Sequence, residues 1–233
     1  MVNRQELRTM IRLRLGDVAE TPVLADAQLN QWINDSIREY SNHFPRFAEV
    51  HIACSAGVRE YSLNGRMDES GVAVSGADAV LRVEYPLGEK PPRILLRRSE
   101  MDSRFIGENC YDLRNDLPVT LVLGSVPKGM EVLSVWITCA HSLLAQDADE
   151  ISLPEHHLEL IILFTRLLAL QELAMGEAVD PSPTGVILTG LNSMAARAKQ
   201  DYETTLAVYI NCSSPGGSIS KWENSCPLLR RSF

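Results

Sequence analysis

The chain has 233 residues, of which 45% are apolar, so it can bury a sizeable core in one large domain or two small ones. A formal net charge of −8 excludes a general electrostatic grip on nucleic acid by the whole chain and leaves only local basic patches open. The N-terminus lacks the apolar core of a signal peptide, so we expect the protein to stay in the cytoplasm of the cell that makes it.

Two amphipathic helices are predicted at the start of the chain. Asn3 is a preferred capping residue and Glu6 completes a capping box, so the first helix begins there and ends at Gly16. Asp26 is predicted to cap the second helix, whose apolar residues recur at three- and four-residue steps until Pro45 closes the segment. Each helix is therefore expected to bury one face.

Three arginines of the first helix, Arg4, Arg8 and Arg12, are spaced four residues apart and stack along one helix face. This arginine stripe is either a solvated face opposite the core or a contact with an acidic neighbour, such as another copy of the chain. A DNA-binding module in which the stripe meets phosphates is a further interpretation. It predicts an affinity that falls steeply with salt.

Alternation of apolar and polar side chains begins at Ala48 and predicts a β-rich region. Asn64-Gly65 and Pro91-Pro92 are turn signals, and no helix that could serve as a crossover lies between the strands, so the strands are expected to be antiparallel. Five or six strands are predicted, within residues 48–54, 58–63, 79–85, 93–98, 119–123 and 130–140, with one helical turn at residues 99–102.

Helical periodicity returns after the β-rich region. Pro154 suits a first helical turn, and residues 158–175 are apolar almost all round but carry charges that would be costly in a bilayer. We therefore predict a buried helix that needs covering on several sides. Gly176 is predicted to end it, and a last helix is predicted over residues 187–209.

The predicted fold class is α+β, with a four-helix bundle-like module interrupted by an antiparallel β-rich insertion and followed by an extended C-terminal tail. The predicted segments are residues 1–47, the N-terminal helical pair; 48–145, the β-rich insertion; 146–210, the C-terminal helical pair; and 211–233, the tail.

The tail is rich in Ser, Gly and Pro and has no helical or strand period. A purely flexible tail has little reason to carry large apolar groups, so we expect it to bind a partner and become ordered there. The candidate partner-binding residues are Ile219, Trp222, Leu228, Leu229, Arg230, Arg231 and Phe233.

No catalytic, metal or cofactor site is predicted. His156 and His157 are adjacent on a helix, point about a third of a turn apart and are interpreted as surface histidines. Asp147, Asp149 and Glu150 are interpreted as solvated turn and cap residues in preference to a catalytic pair. The five scattered cysteines are expected to be ordinary thiols. An enzyme with an unrecognised site is the remaining alternative.

Two segments resemble head-to-tail connector proteins of tailed bacteriophages. Residues 6–17, followed by residues 24–40, are similar to the N-terminal helical pair of those proteins. Ile151-Ser152-Leu153-Pro154, leading into residues 158–173, resembles the acidic loop, Leu-Pro and long apolar helix with which they return from a β insertion to the helical bundle. The resemblance covers both helical blocks, about half the chain.

The resemblance implies a non-enzymatic virion protein, assembled in the host cytoplasm and located in the neck between capsid and tail. Such adaptors form a ring, usually a dodecamer, below the portal protein; they extend the DNA channel and dock the tail or the next neck protein. DNA would pass without specific binding, and no membrane is involved. The arginine stripe then becomes a candidate subunit contact, and the tail is expected to dock on the portal or an adjacent subunit. The alternative within this class is another neck or tail-completion protein.

Overall fold

A computed structural model describes residues 2–18, 23–74, 77–97, 109–114, 119–179 and 186–213. The chain divides into two compact units. The helical unit combines the two ends of the chain, up to His43 and from Ser142 onward, and the β unit is Phe44–His141. The predicted mixture of helices around a β-rich insertion is confirmed.

The described part of the helical unit contains four α-helices and one short 3₁₀ turn. They are α1 Arg4–Leu15, α2 Asp26–His43, the 3₁₀ turn Glu155–His157, α3 Leu158–Val179 and α4 Val186–Ser213. The capping box of α1 is confirmed, because Asn3 Oδ1 accepts a hydrogen bond from the Glu6 N–H at 2.8 Å and the Glu6 carboxylate accepts one from the Asn3 N–H at 3.0 Å.

Helix α3 packs against all three other helices of its unit. Its side chains at Leu160, Ile161 and Leu170 are buried, which confirms the predicted buried helix. Across the described residues, no helix combines the length and apolar character needed to cross a membrane. Contacts with the three other helices cover much of the apolar surface of α3.

Two helix ends differ from the predictions. Gly176 does not end α3, which continues to Val179. Gly16 ends α1 because it adopts a left-handed φ of 75°, whereas Gly176 lies within the helix, so a glycine alone permits a helix end without forcing one. Helix α4 runs to Ser213, three residues into the segment predicted as tail.

The described β unit contains seven strands in one sheet, ordered β1-β7-β3-β4-β5-β6-β2. The strands are β1 Arg46–Ala53, β2 Glu60–Ser62, β3 Ala79–Glu84, β4 Ile94–Arg97, β5 Cys110–Arg114, β6 Thr120–Leu123 and β7 Val132–Cys139.

Strand β5 was not predicted, and it makes the prediction of a wholly antiparallel sheet wrong. It pairs in parallel with β4, with Leu96 opposite Cys110. Parallel neighbours need a long connection, and twelve residues separate Arg97 from Cys110 in the sequence. The predicted helical turn at residues 99–102 lies in this connection, outside the described residues. The other described strand pairs are antiparallel.

The sheet is curved. Strands β1 and β2 lie at opposite edges, yet only the six residues Cys54–Arg59 separate them. A flat seven-stranded sheet would hold its edges about 29 Å apart, whereas the chain from β1 to β2 spans at most about 24 Å. Curvature also explains why inward residues of all seven strands share one core, among them Val50, Tyr61, Val83, Leu95, Tyr111, Leu121 and Val135.

Candidate interaction surfaces

The first two arginines of the stripe form hydrogen bonds and ion pairs with one carboxylate of their own chain. Arg4 donates from Nε and Nη2 to Asp147 Oδ1 at 3.0 and 2.8 Å, and Arg8 donates from its two Nη atoms to both carboxylate oxygens at 2.9 Å. The side chains of Arg4 and Arg8 are 12% and 10% exposed. These hydrogen bonds, first from Arg8 and then from Arg4, hold the pKa of the Asp147 carboxyl below its ordinary value.

The third arginine binds residues at both ends of the connection between α1 and α2. Arg12 pairs with Asp17 and with Asp26, the latter at 2.6 Å, and donates to the Leu24 carbonyl oxygen at 2.8 Å. Asp17 in turn accepts a hydrogen bond from the Val23 N–H at 2.8 Å. The arginine stripe is therefore not a solvated face. Its role in subunit contacts stays a prediction, and a partner could reach these guanidinium groups only by displacing acids of the same chain.

The loop that returns from the insertion to α3, residues 142–150, is joined to both N-terminal helices. The Leu144 carbonyl oxygen accepts hydrogen bonds from Arg4 and from the Asn34 amide, and the Asn34 side chain also accepts the Leu144 N–H at 2.9 Å. Asp149 Oδ2 accepts the N–H groups of Ala145 and Gln146, both at 2.7 Å, as expected of a turn residue. We call this segment the return loop.

The interpretation of both adjacent histidines as surface groups is wrong for His157. This side chain is 6% exposed, because its ring lies between Tyr40 of α2 and Tyr209 of α4, with ring centroids 5.5 and 4.6 Å away. The Tyr40 hydroxyl hydrogen-bonds His157 Nδ1, and the Tyr209 hydroxyl donates to the carbonyl oxygen of His156. Burial lowers the pKa of His156. The cluster therefore joins the 3₁₀ turn to α2 and α4 and has a structural role.

Exposed apolar side chains on the helical unit are candidate contact surfaces. On α1, Leu13 is 65% exposed, and Met10, at helical spacing from the buried Leu7 and Ile11, is 39% exposed. A second set lies on α4, where Ile187 and Met194 are seven residues apart on one helix face and are 50% and 45% exposed. Single exposed apolar residues are common, but two sets on separate helices give two candidate surfaces.

A charged groove lies between α1, α3 and α4. It has a volume of about 510 Å³ and contains Arg14, Glu159, Arg166, Arg197 and Asp201. Arg14 and Glu159 form an ion pair across it at 3.3 Å. The groove is open and carries both signs of charge, which is typical of a polar contact surface and not of an enclosed catalytic pocket.

The predicted partner-binding residues of the tail, from Ile219 to Phe233, lie outside the described residues. Among the cysteines within the described ranges, Cys54 and Cys139 are buried free thiols, as predicted. Burial raises the pKa of both Cys54 and Cys139.

Residues 2–211 match the model of a family described as SU10 adaptor protein. A comparison with curated proteins found no match. The family match covers the helical unit up to residue 211 and the whole β unit, and it confirms the resemblance to phage head-to-tail adaptors. This chain therefore belongs to the SU10 adaptor protein family and is a structural component of a bacteriophage virion that interacts with other virion proteins.

Proposed function

We propose that the protein is a non-enzymatic head-to-tail adaptor that forms a ring below the portal, extends the DNA channel and docks the tail or the next neck protein. The observation that carries this proposal is the family match over residues 2–211, which takes in both chain segments of the helical unit and the β unit between them. The ring is a dodecamer.

The helical unit is the ring-forming element in this proposal. Helix α3 packs on α1, α2 and α4, which supports a four-helix bundle-like module. A closed ring needs two different surfaces on each subunit, one for each neighbour. The exposed apolar residues of α1 and those of α4 are two such surfaces, exemplified by Leu13 and Met194.

DNA passes through the channel without specific binding. The formal net charge of −8 supports this proposal, because an acidic protein does not retain a polyanion. The competing DNA-binding interpretation is weakened by the arginine stripe itself. Arg4 and Arg8 are paired with Asp147, and Arg12 is paired with Asp17 and Asp26, so the stripe offers phosphates no unpaired cation.

The tail docks on the portal or on an adjacent subunit. Its apolar residues, Ile219, Trp222, Leu228, Leu229 and Phe233, are the anchors, and Arg230 and Arg231 add charge at the same end. An extended segment of this composition gains order on binding and can follow a groove or sheet edge of its partner.

The proposal is tested by mixing the full-length protein with purified portal and measuring the mass and shape of the product by native mass spectrometry and electron microscopy. A closed ring attached to the portal is expected. A stable monomer indifferent to portal contradicts the proposal, and a complex with tail components but not with portal would favour a tail-completion protein.

A matched pair of variants tests the ring surface. Leu13→Asp places a charge on the exposed apolar surface of α1 and is expected to abolish the ring while the thermal unfolding of the subunit is unchanged, since Leu13 is 65% exposed. Leu96→Asp, at a 73% exposed position in β4, is the control. Equal ring formation by wild type and Leu13→Asp would exclude α1 from the interface.

A further inference from the structure

Three potential metal ligands converge on the outer side of strand β1. Glu49 and His51 are two residues apart and so project from the same face of the strand, opposite the buried Val50. Glu69 comes from the turn after β2. Its N–H donates to the Glu49 carbonyl oxygen at 3.1 Å, which holds the turn beside the strand.

The distances from His51 to the two carboxylates are close to those between ligand atoms of a bound metal ion. His51 Nε2 lies 3.1 Å from Glu49 Oε1 and 3.5 Å from Glu69 Oε1, and the three ligand atoms all lie within 4.8 Å of one another. Ligands about 2.1 Å from a metal ion are separated by about 3.4 Å in a tetrahedral site and about 3.0 Å in an octahedral site. Little movement is therefore needed to admit an ion.

Neighbouring residues hold this arrangement in place. Ser134 Oγ donates to Glu49 Oε1 at 2.5 Å, so the orientation of that carboxylate is fixed from strand β7. The turn that carries Glu69 is organised by Asp68, which accepts the N–H groups of Ser70 and Val72 at 2.9 and 2.8 Å and pairs with Arg46.

Exposure of the three ligands leaves the solvent side open. The side chains of Glu49, His51 and Glu69 are 22%, 38% and 58% exposed, so water can complete the coordination. One imidazole nitrogen with two carboxylate oxygens suits a borderline divalent ion such as Zn²⁺ better than Mg²⁺, which prefers oxygen ligands alone.

We infer that Glu49, His51 and Glu69 form a surface site for a divalent transition-metal ion of the Zn²⁺ class, which ties strand β1 to the turn containing Glu69. The inference stands apart from the proposed adaptor function, because it concerns only the β unit and needs neither ring nor portal.

The test is titration of the EDTA-treated, dialysed full-length protein with Zn²⁺, followed by calorimetry and by thermal unfolding. Wild type is expected to bind Zn²⁺ with a raised unfolding temperature. His51→Ala is expected either to bind one equivalent of Zn²⁺ less than wild type or to bind that equivalent more weakly. The loss of affinity should exceed the roughly 10- to 100-fold loss that follows removal of an outer-shell partner. Glu69→Gln, at a more exposed position, is the second variant if His51→Ala does not fold.

The matched control is His43→Ala. His43 pairs with Glu39 at 3.3 Å on the surface of α2, and among the described residues this pair belongs to no group of three potential ligands. The control should bind Zn²⁺ as wild type does. Failure of the wild type to bind Zn²⁺, or equal binding by wild type, His51→Ala and Glu69→Gln, would overturn the inference. Preference for Mg²⁺ over Zn²⁺ would also overturn it.

Discussion

Asp147 is the residue on which the return loop depends. Its carboxylate accepts hydrogen bonds from two guanidinium groups whose side chains are nearly buried, those of Arg4 and Arg8. Removing the acceptor would leave two poorly solvated cations close together, with only the more distant Asp26 carboxylate, 3.6 Å from Arg8, as a counter-charge. Such a loss costs more than the loss of an ordinary surface ion pair, since the remaining charges cannot be fully hydrated.

Asp147→Asn is expected to lower the unfolding temperature at pH 7 and to flatten its dependence on acid. The pKa of the folded Asp147 lies below its ordinary value of 3.8. Its contribution to stability is therefore complete above about pH 4 and is lost as the pH falls through the depressed folded pKa. Thermal unfolding of wild type and variant, recorded from pH 7 down to pH 2.5, measures both effects.

Glu150→Gln is the matched control for this prediction. Glu150 lies in the return loop at an exposed position and makes no ion pair with any described residue. It should leave both the unfolding temperature at pH 7 and the acid limb unchanged. If Asp147→Asn behaved in the same way, the ion pairs with Arg4 and Arg8 would contribute nothing to stability.

Helix α3 is the element that holds the helical unit together, because each of the other helices packs against it. Its sequence is apolar almost all round, and its two ends differ in environment. Ile161 is fully buried, whereas Met175 is 59% exposed. This contrast separates the side chains that form the core from those available to a partner.

Ile161→Ala is expected to reduce the free energy of unfolding by about 2–5 kcal/mol, because it removes buried methyl groups and leaves a cavity. Met175→Ala on the same helix should change it by no more than about 0.5 kcal/mol. Denaturant unfolding of both variants gives the comparison. Equal destabilisation by the two substitutions would mean that the buried side of α3 is not where the structure has it.

The tail is the other element with a distinct expected role. Deleting residues 214–233 leaves α4 complete to Ser213 and removes every candidate anchor. We expect the truncated protein to unfold at the same temperature as wild type but to lose attachment to the portal in a pull-down. Attachment that survives the deletion would show that docking resides elsewhere, and a double substitution of Trp222 and Phe233 by Ala controls for the change in length.

At the scale of the whole molecule, net charge determines the affinity of the protein for DNA. With a formal net charge of −8 and the arginine stripe paired internally, we expect no measurable affinity for duplex DNA at physiological salt. Fluorescence anisotropy at a series of salt concentrations measures this, with a known DNA-binding protein as the positive control. An affinity that falls steeply with salt would revive the DNA-binding interpretation.

Local chemistry made much of the fold predictable. The capping box at Asn3 and Glu6 depends on residues three positions apart, and the burial of Ile161 follows from a helix that is apolar all round. Five of the seven described strands fall within predicted ranges for the same reason, and β1 overlaps its range but begins two residues earlier, at Arg46. Strand β5 was missed although Tyr111 and Leu113 alternate with polar residues and face the core, because two apolar positions are too few for periodicity alone to identify a strand.

The candidate surfaces were less accessible to prediction. Met10 recurs at the helical spacing of Leu7 and Ile11, yet it is 39% exposed while they are fully buried, because its exposure depends on which helices lie beside α1. The sequence pattern places His157 on the surface, since no residue near it in the sequence indicates a contact with Tyr40 or Tyr209. Partners distant in sequence set the environment of each of these residues.

The sequence by itself determined the helices, their caps, most strands and the family resemblance, since each depends on residues that lie a few positions apart. Only the tertiary structure decided which charges meet and how the strands are ordered. Arg8 and Asp147 are 139 positions apart, and no local pattern links Glu49 and His51 with Glu69. Periodicity reports which face of an element is apolar; the fold alone determines what that face, or its polar opposite, contacts.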